Sequence, residues 1–339
     1  MNQPTDLITE GATTPSHAAS TTTETASPPA LSGLFSRFAM VVVLAALVVL
    51  ATILYPGFLS PDNLRDILVQ NTAVGIVALG MTFVIISGGF DLSVGATYAL
   101  GSTVSAGVAI STGSPNLGIL AAVLAGVVCG IANGVLVAKL NINPFVATLG
   151  SASIISGIAY IYSKSAPFIV SDPNFKLLAR SSIAGFPVPI VILAVTFAAG
   201  AVLLAMTRYG RNIYAIGGNH EASWLSGLRV TSLTGSVYVM TGVLAAFAGT
   251  LDASRLGVGQ ADVGANIALD AIAIVIVGGT SLRGGEGAVW RSAVGLLIFA
   301  TLTNLFYSLN LSQHWQLIAK GTIVLIAVAL DSWSRNRRS

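Results

Sequence analysis

The chain has 339 residues, of which 54% are hydrophobic and 9% charged, and its mean hydropathy is +0.83. A soluble domain carries about 25% charged residues, so this composition excludes a soluble globular protein and points to a polytopic membrane protein. The net charge of +3 is spread over loops as a positive-inside bias and forms no nucleic-acid surface.

Residues 1–32 are rich in Thr, Ser, Ala and Pro without apolar periodicity, and read as a disordered cytoplasmic tail. No short basic region leads directly into an apolar core, so no cleaved signal peptide is expected. The first apolar run, 38–55, reads as an uncleaved signal anchor. Further runs lie near 67–87, 92–111, 118–138, 144–162, 187–207, 233–251, 267–279, 289–308 and 314–331. A span needs about 20 apolar residues at 1.5 Å each, so about ten spans are expected. The fold class is therefore an all-α polytopic membrane protein, with 33–334 as one transmembrane domain and 335–339 as a short basic cytoplasmic tail. The run at 267–279 is too short for a full perpendicular span. Only Ser87-Gly-Gly-Phe-Asp-Leu92 separates the second and third runs. Short and Gly-interrupted segments of this kind mark broken or re-entrant helices.

Basic residues orient the chain, because short loops rich in Lys and Arg stay in the cytoplasm. Ten spans with both termini inside leave Arg37, Lys139, Arg208, Arg211, Arg229, Arg283, Arg291 and Arg335 on the cytoplasmic side, along with Arg337 and Arg338. Outside lie Arg65, Lys164, Lys176, Arg180 and Arg255, three of them in the long loop 163–187. That loop also holds Pro167, Asp172, Pro173 and Pro187. It reads either as a solvated connector or as a landing surface for a soluble binding protein.

Polar residues inside or between spans come next. An aspartate such as Asp91, between two apolar runs, costs about 2.5–3.5 kcal/mol at a helix centre in lipid. Its flanking glycines permit turns and close contact, and Ser93 is placed to cap the following helix. Asp91 reads either as a residue of the translocation pathway or as a loop residue and cap at the cytoplasmic face. The run 133–150 reads as a helix end, a short basic turn at Lys139 and a proline, Pro144, opening the next helix. Gln70, Asn71, Asn133, Asp270, Asn304 and Lys320 lie within spans, and Asp270 and Lys320 could pair. The pathway candidates are Asn71, Asp91, Ser93, Asn133, Asp270 and Asn304. Hydroxyls and amides suit a neutral hydroxylated solute better than a proton relay. An ion-coupled secondary transporter is the alternative, and its relay would rest on Asp270 and Lys320 alone.

Residues 208–230 form a polar, basic insert between spans. Its second half, 219–228, reads as a short helix with Asn219 as cap, Glu221 and Ala222 in the first turn and Gly227 near the end. The glycine-rich run Val277-Gly-Gly-Thr-Ser-Leu-Arg-Gly-Gly-Glu-Gly287 is not a phosphate-binding loop, which needs Gly-x-x-x-x-Gly-Lys followed by Ser or Thr. It loosely echoes the Gly-Gly segment at Asp91. Cys129 is a lone cysteine in an apolar run, so no disulfide framework exists. His17, His220 and His314 fit no metal-ligand spacing.

Several of these stretches carry a resemblance. Arg208-Tyr-Gly-Arg-Asn-Ile-Tyr-Ala-Ile-Gly-Gly-Asn219 resembles the ribose/xylose/arabinose-type permeases of bacterial ABC importers. So do Ser87-Gly-Gly-Phe-Asp-Leu-Ser-Val-Gly95, with Phe90 where that family has Ile, the Gly-Gly-Thr-Ser-Leu-x-Gly-Gly loop at 278–285, and the 134–149 segment. The resemblance covers about 55–332. Glu221-Ala222-Ser223 followed by Gly227 is similar to the Glu-Ala-Ala…Gly coupling loop, with Ser223 at the second Ala. The resemblance implies that Arg208, Arg211, Glu221, Ala222, Trp224 and Gly227 meet a cytoplasmic ATPase; without it, the insert reads equally as a connector. It further implies an inner-membrane permease subunit for a pentose or related sugar or polyol. Its partners would be two ATPases, a periplasmic sugar-binding protein, a second permease copy (identical or similar) and membrane lipid, with no nucleic acid. ATP and Mg²⁺ would sit on the ATPase, and this chain would catalyse nothing and bind no cofactor.

Overall fold

The computed structural model describes residues 31–336. The tails expected at 1–32 and 335–339 lie mostly outside the described residues. Helix α1 (Leu31–Leu54) is followed by α2 (Pro61–Ile86), α3 (Val94–Thr112) and α4 (Pro115–Gly134), which runs on as one π-helical turn, Val135–Lys139. Next come α5 (Pro144–Ser163), strand β1 (Phe168–Ile169), α6 (Pro173–Arg180), β2 (Ser182–Ile183) and β3 (Phe186–Pro187). Then follow α7 (Val188–Met206), α8 (Arg208–Gly218), α9 (His220–Leu225) and α10 (Val230–Leu256). Strand β4 (Val258–Gly259), α11 (Ile267–Val277), α12 (Val289–Ser308) and α13 (Gln313–Asn336) complete the chain.

Local chemistry sets many of these starts. Helices α2, α4, α5 and α6 each open on a proline, preceded by Ser60, Ser114, Asn143 or Asp172. The oxygen of that preceding side chain accepts a first-turn N–H. Proline lacks an N–H that would be unpaired there anyway, and the capping oxygen satisfies another. Each of the ten apolar runs falls on a helix. Among the described residues, seven helices are long and apolar enough to cross a membrane: α2, α3, α4 with its π turn, α5, α7, α10 and α12. The insert 208–230 departs from expectation. Its first half is also a helix, α8, capped by Thr207, whose Oγ1 accepts the Gly210 N–H at 3.2 Å. Ile213 and Ile216 bury one face of α8. That short amphipathic stripe is masked in sequence by the glycines around it.

The core is built on α10, which packs against α3, α4 and α2. The faces in contact are small. Gly242 lies on Gly126 of α4, and Gly101 of α3 lies on Ala246, so close that a β-carbon at Gly101 would strike the Ala246 backbone. Small residues let helix backbones approach where lipid supplies no hydrophobic drive between helices. The second half of α2, from Gly75 to Ile86, is buried throughout.

Two breaks in the helices shape the centre. After α10 the chain turns at Gly257, pairs β4 with β1 of the 163–187 loop, and continues without regular structure along α3. Gln260 N–H donates to Ser102 Oγ at 3.3 Å, and Gly264 lies directly on Gly95. Only then does α11 begin. Its 11 residues span about 16 Å, half of the roughly 30 Å hydrocarbon layer. The first turn of α3 and the start of α11 therefore meet at Gly95 and Gly264. The faint echo between the two Gly-Gly segments is a shared turn geometry. Helix α2 ends with Gly88 at φ +84° and the bonds Gly88 N–H to Ile85 O and Gly89 N–H to Val84 O; α11 ends with Gly279 at φ +84° and the bonds Gly279 N–H to Ile276 O and Thr280 N–H to Val275 O. Glycine adopts this left-handed conformation at helix ends without a β-carbon penalty.

Candidate translocation and coupling sites

The turn after α2 carries Asp91 into the interior. Asp91 lies in the turn between the two helices α2 and α3 and is 1% exposed. Its Oδ1 accepts the Ser93 N–H at 2.9 Å and the Ser93 hydroxyl at 2.6 Å. Ser93 therefore does not cap α3 as expected: its hydroxyl is spent on Asp91, and it forms no side-chain cap bond. Asn133 Nδ2 donates to the same Ser93 Oγ at 2.6 Å, while Asn133 Oδ1 is buried without a partner among the described residues. The turn is clamped from two further helices. Leu92 N–H donates to Thr148 Oγ1 at 3.0 Å, and the Tyr238 hydroxyl donates to Phe90 O at 3.1 Å. Helices α4, α5 and α10 thus hold one buried polar knot whose members are far apart in sequence. Just beyond it, a cavity of about 200 Å³ is lined by Gly88, Gly89, Tyr238, Asn141 and His220.

The other pathway candidates do not join this knot. Asp270 accepts from Lys320 Nζ at 2.9 Å, the pairing the sequence allowed, with each side chain about a fifth exposed. Asn304 exchanges two hydrogen bonds with Asn63, at 2.8 and 3.3 Å, and so fastens α12 to the start of α2. Asn71 donates to the Ile67 carbonyl of its own helix at 2.8 Å. Asn304 therefore joins two helices, whereas Asn71 bonds within its own.

The coupling candidates gather on one surface. Arg208 and Arg211 on α8, Glu221, Ala222 and Trp224 on α9, and Gly227 just after it are all exposed. Asn219 Oδ1 accepts the Ala222 N–H at 2.9 Å, the expected cap. Ser223 turns inward and is 5% exposed, whereas Trp224 and Leu225 stand 65% and 71% exposed. The insert is bound tightly to the body. Tyr209 and Ser236 share a hydrogen bond of 2.9 Å, and the Tyr214 hydroxyl donates to Gly287 O at 2.7 Å. Burial pushes both phenols above their ordinary value, against the Ser236 bond at Tyr209 and the Arg291 charge at Tyr214, so both stay protonated at neutral pH.

Three glycine segments then meet backbone to backbone. Gly217 lies so close to the Ile86 carbonyl that a β-carbon would collide with it, Gly284 lies on Gly88, and Gly285 N–H donates to Ile86 O at 2.8 Å. The exposed insert, the loop 277–287 and the turn leading to Asp91 form one contiguous junction. The sequence did not single out Tyr238 and Thr148 as partners of this turn. A tyrosine and a threonine inside apolar runs were the available signal.

Residues 63–328 match the family described as branched-chain amino acid transport system / permease component. The chain belongs to this permease family. Curated relatives cover most of its length. A ribose import permease protein of Bacillus subtilis is 40% identical over 84% of this chain and 89% of its own. An L-arabinose ABC transporter permease protein of Azospirillum brasilense is 34% identical over 90% of each. A galactose/methyl galactoside import permease protein of Salmonella typhimurium is 36% identical over 86% of this chain and 93% of its own. No solved structure is a significant match.

Proposed function

We propose that this chain is the inner-membrane permease subunit of an ABC importer and that it translocates a sugar. The observation that carries this reading is the set of relatives named for ribose, arabinose and galactose import, each matched along nearly its whole length. Two of the three named sugars are pentoses, which favours a pentose or a related sugar or polyol. Sugar reaches the outer face on a periplasmic binding protein. A separate ATPase binds ATP and Mg²⁺ and docks on the α8–α9 surface, where Trp224 and Leu225 offer an apolar anchor. Two copies of the permease, or this chain and a similar one, enclose the path within the lipid. Motion of the docked insert passes through the glycine junction to the turn that carries Asp91. This is a physical route of packed backbone, and mutational coupling along it is the appropriate warrant.

The test is reconstitution. The chain is placed in proteoliposomes alone, or with a partner ATPase and a sugar-binding protein. Accumulation of labelled sugar is expected only with ATP and both partners. Accumulation by the chain alone, driven by a proton or sodium gradient, would instead establish the ion-coupled alternative.

A further inference from the structure

A cavity of about 450 Å³ opens between the start of α11, the end of α12 and the first turns of α13. Small-molecule sites span about 300–1,000 Å³, so the volume is sufficient for a ligand. Asp262 and Asn266 line it from the irregular segment before α11, Asp270 from the first turn of α11, Tyr307 from α12, and Gln316 and Lys320 from α13.

Two amides in this wall lack expected partners. Gln316 is 4% exposed, and its Nε2 is buried with no hydrogen-bond partner among the described residues. Asn266, which is exposed, occupies the N-cap position of α11, and its side chain makes no cap bond, so its amide is free to turn to the cavity. A buried polar atom is rarely left unpaired, and Gln316 Nε2 therefore asks for a ligand, an ion or water. The charges select among these. Lys320 and Asp270 neutralise each other at 2.9 Å and Asp262 is exposed, so the enclosed wall presents no unbalanced charge to a cation. Asp262 and Asp270 disfavour an anion. What remains is a set of donors and acceptors, with the tyrosine ring of Tyr307 beside them. The start of a half-length helix also faces this space, as at solute sites built from discontinuous helices.

We infer that this cavity binds a neutral, polyhydroxylated solute of monosaccharide size, with Gln316, Asn266 and the Asp270–Lys320 pair as its hydrogen-bonding groups. The inference rests on the sugar-transport reading and adds a solute site contained within one copy of the chain, apart from the Asp91 knot.

The test uses the full-length chain in nanodiscs carrying Cys129→Ala and Thr303→Cys, which leaves a single thiol in the cavity wall. Maleimide labelling is timed with millimolar aldopentoses and aldohexoses, with betaine as the osmotic control. At least one sugar is expected to slow labelling beyond betaine. Gln316→Leu and Asn266→Ala are each expected to raise the half-protecting concentration about tenfold, the loss of roughly one hydrogen bond to a ligand hydroxyl. Asn266→Ala removes no cap bond, so it tests the site even where Gln316→Leu fails to fold. Protection by no sugar, protection unchanged in Asn266→Ala, or protection by sodium over choline without sugar would each overturn the site. ATP-driven uptake is measured in parallel with both partners present. Normal uptake without protection overturns the site and leaves the transport reading standing. Protection without uptake under any energy source supports the site and overturns the transport reading.

Discussion

Asp91 and Asp172 are both aspartates that accept N–H bonds just ahead of a helix, yet their surroundings give them different weight. Asp172 is an exterior cap, accepting the Asn174 N–H at 2.8 Å. Asp91 is buried and anchors Ser93, which in turn holds Asn133. Removing a buried acceptor leaves its donors unsatisfied, at about 1–3 kcal/mol, whereas losing an exposed cap costs about 1 kcal/mol. Asp91→Ala is expected to lower sugar uptake about tenfold or more at equal membrane abundance, with Asp172→Ala near normal. Equal uptake by both variants would reduce Asp91 to a local cap. The Asp270–Lys320 pair yields a second prediction at this scale. Breaking one partner strands a partly buried charge, while removing both does not. Asp270→Asn and Lys320→Met should each lower the thermal midpoint more than the double variant does. A double variant less stable than either single variant would overturn this reading of the pair.

At the scale of elements, α8 and α9 behave as one docked piece. Their outer surface carries Trp224 and Leu225, and their inner surface is fixed through Tyr209, Tyr214 and Gly217. Gly227 ends α9 at φ +82° with nothing within 4 Å of a would-be β-carbon. A substitution there is therefore opposed by backbone strain and not by crowding. Gly227→Val should strain the turn by about 1–3 kcal/mol and lower sugar-stimulated ATP hydrolysis and uptake together. Gly227→Asn should be far milder, because asparagine tolerates the left-handed region. Trp224→Ala with Leu225→Ala should weaken ATPase binding about tenfold or more, since a buried aromatic anchor commonly dominates an interface. Full binding by that double variant, measured by co-purification and titration, would make the insert a connector.

At the scale of the whole molecule, orientation and packing are both testable. The positive-inside rule predicts a cytoplasmic insert. Ser226 is exposed, whereas its neighbour Ser223 is buried, so Ser226→Cys in a Cys129→Ala background is the proper reporter. A membrane-impermeant thiol reagent should miss it in intact cells and label it in inside-out vesicles lacking the ATPase. Labelling from outside would invert the topology. The helix seam gives a separate measurement. Gly101→Val places a branched side chain against the Ala246 backbone, and overpacking of this kind costs about 1–3 kcal/mol. Its thermal midpoint should fall well below that of a substitution at Gly150, which has nothing within 4 Å.

Hydropathy, cap chemistry and glycine placement act over a few residues, and they were readable without coordinates. They set the all-α membrane class, the position of each long helix, the short α11 run, the capped α9 and its closing Gly227. They also singled out Asp91 and the Asp270–Lys320 pairing as worth a structural answer. Helix neighbours and helix rotation belong to the tertiary structure alone. Asn133 meets Ser93 across 40 positions, and Lys320 meets Asp270 across 50. Asn304 turned to Asn63, Ser223 turned inward, and Gln316 was buried beside a cavity. No local pattern separates these outcomes, because a polar residue on a membrane helix faces whatever its neighbours leave for it, and which helices are neighbours follows from packing of the entire chain.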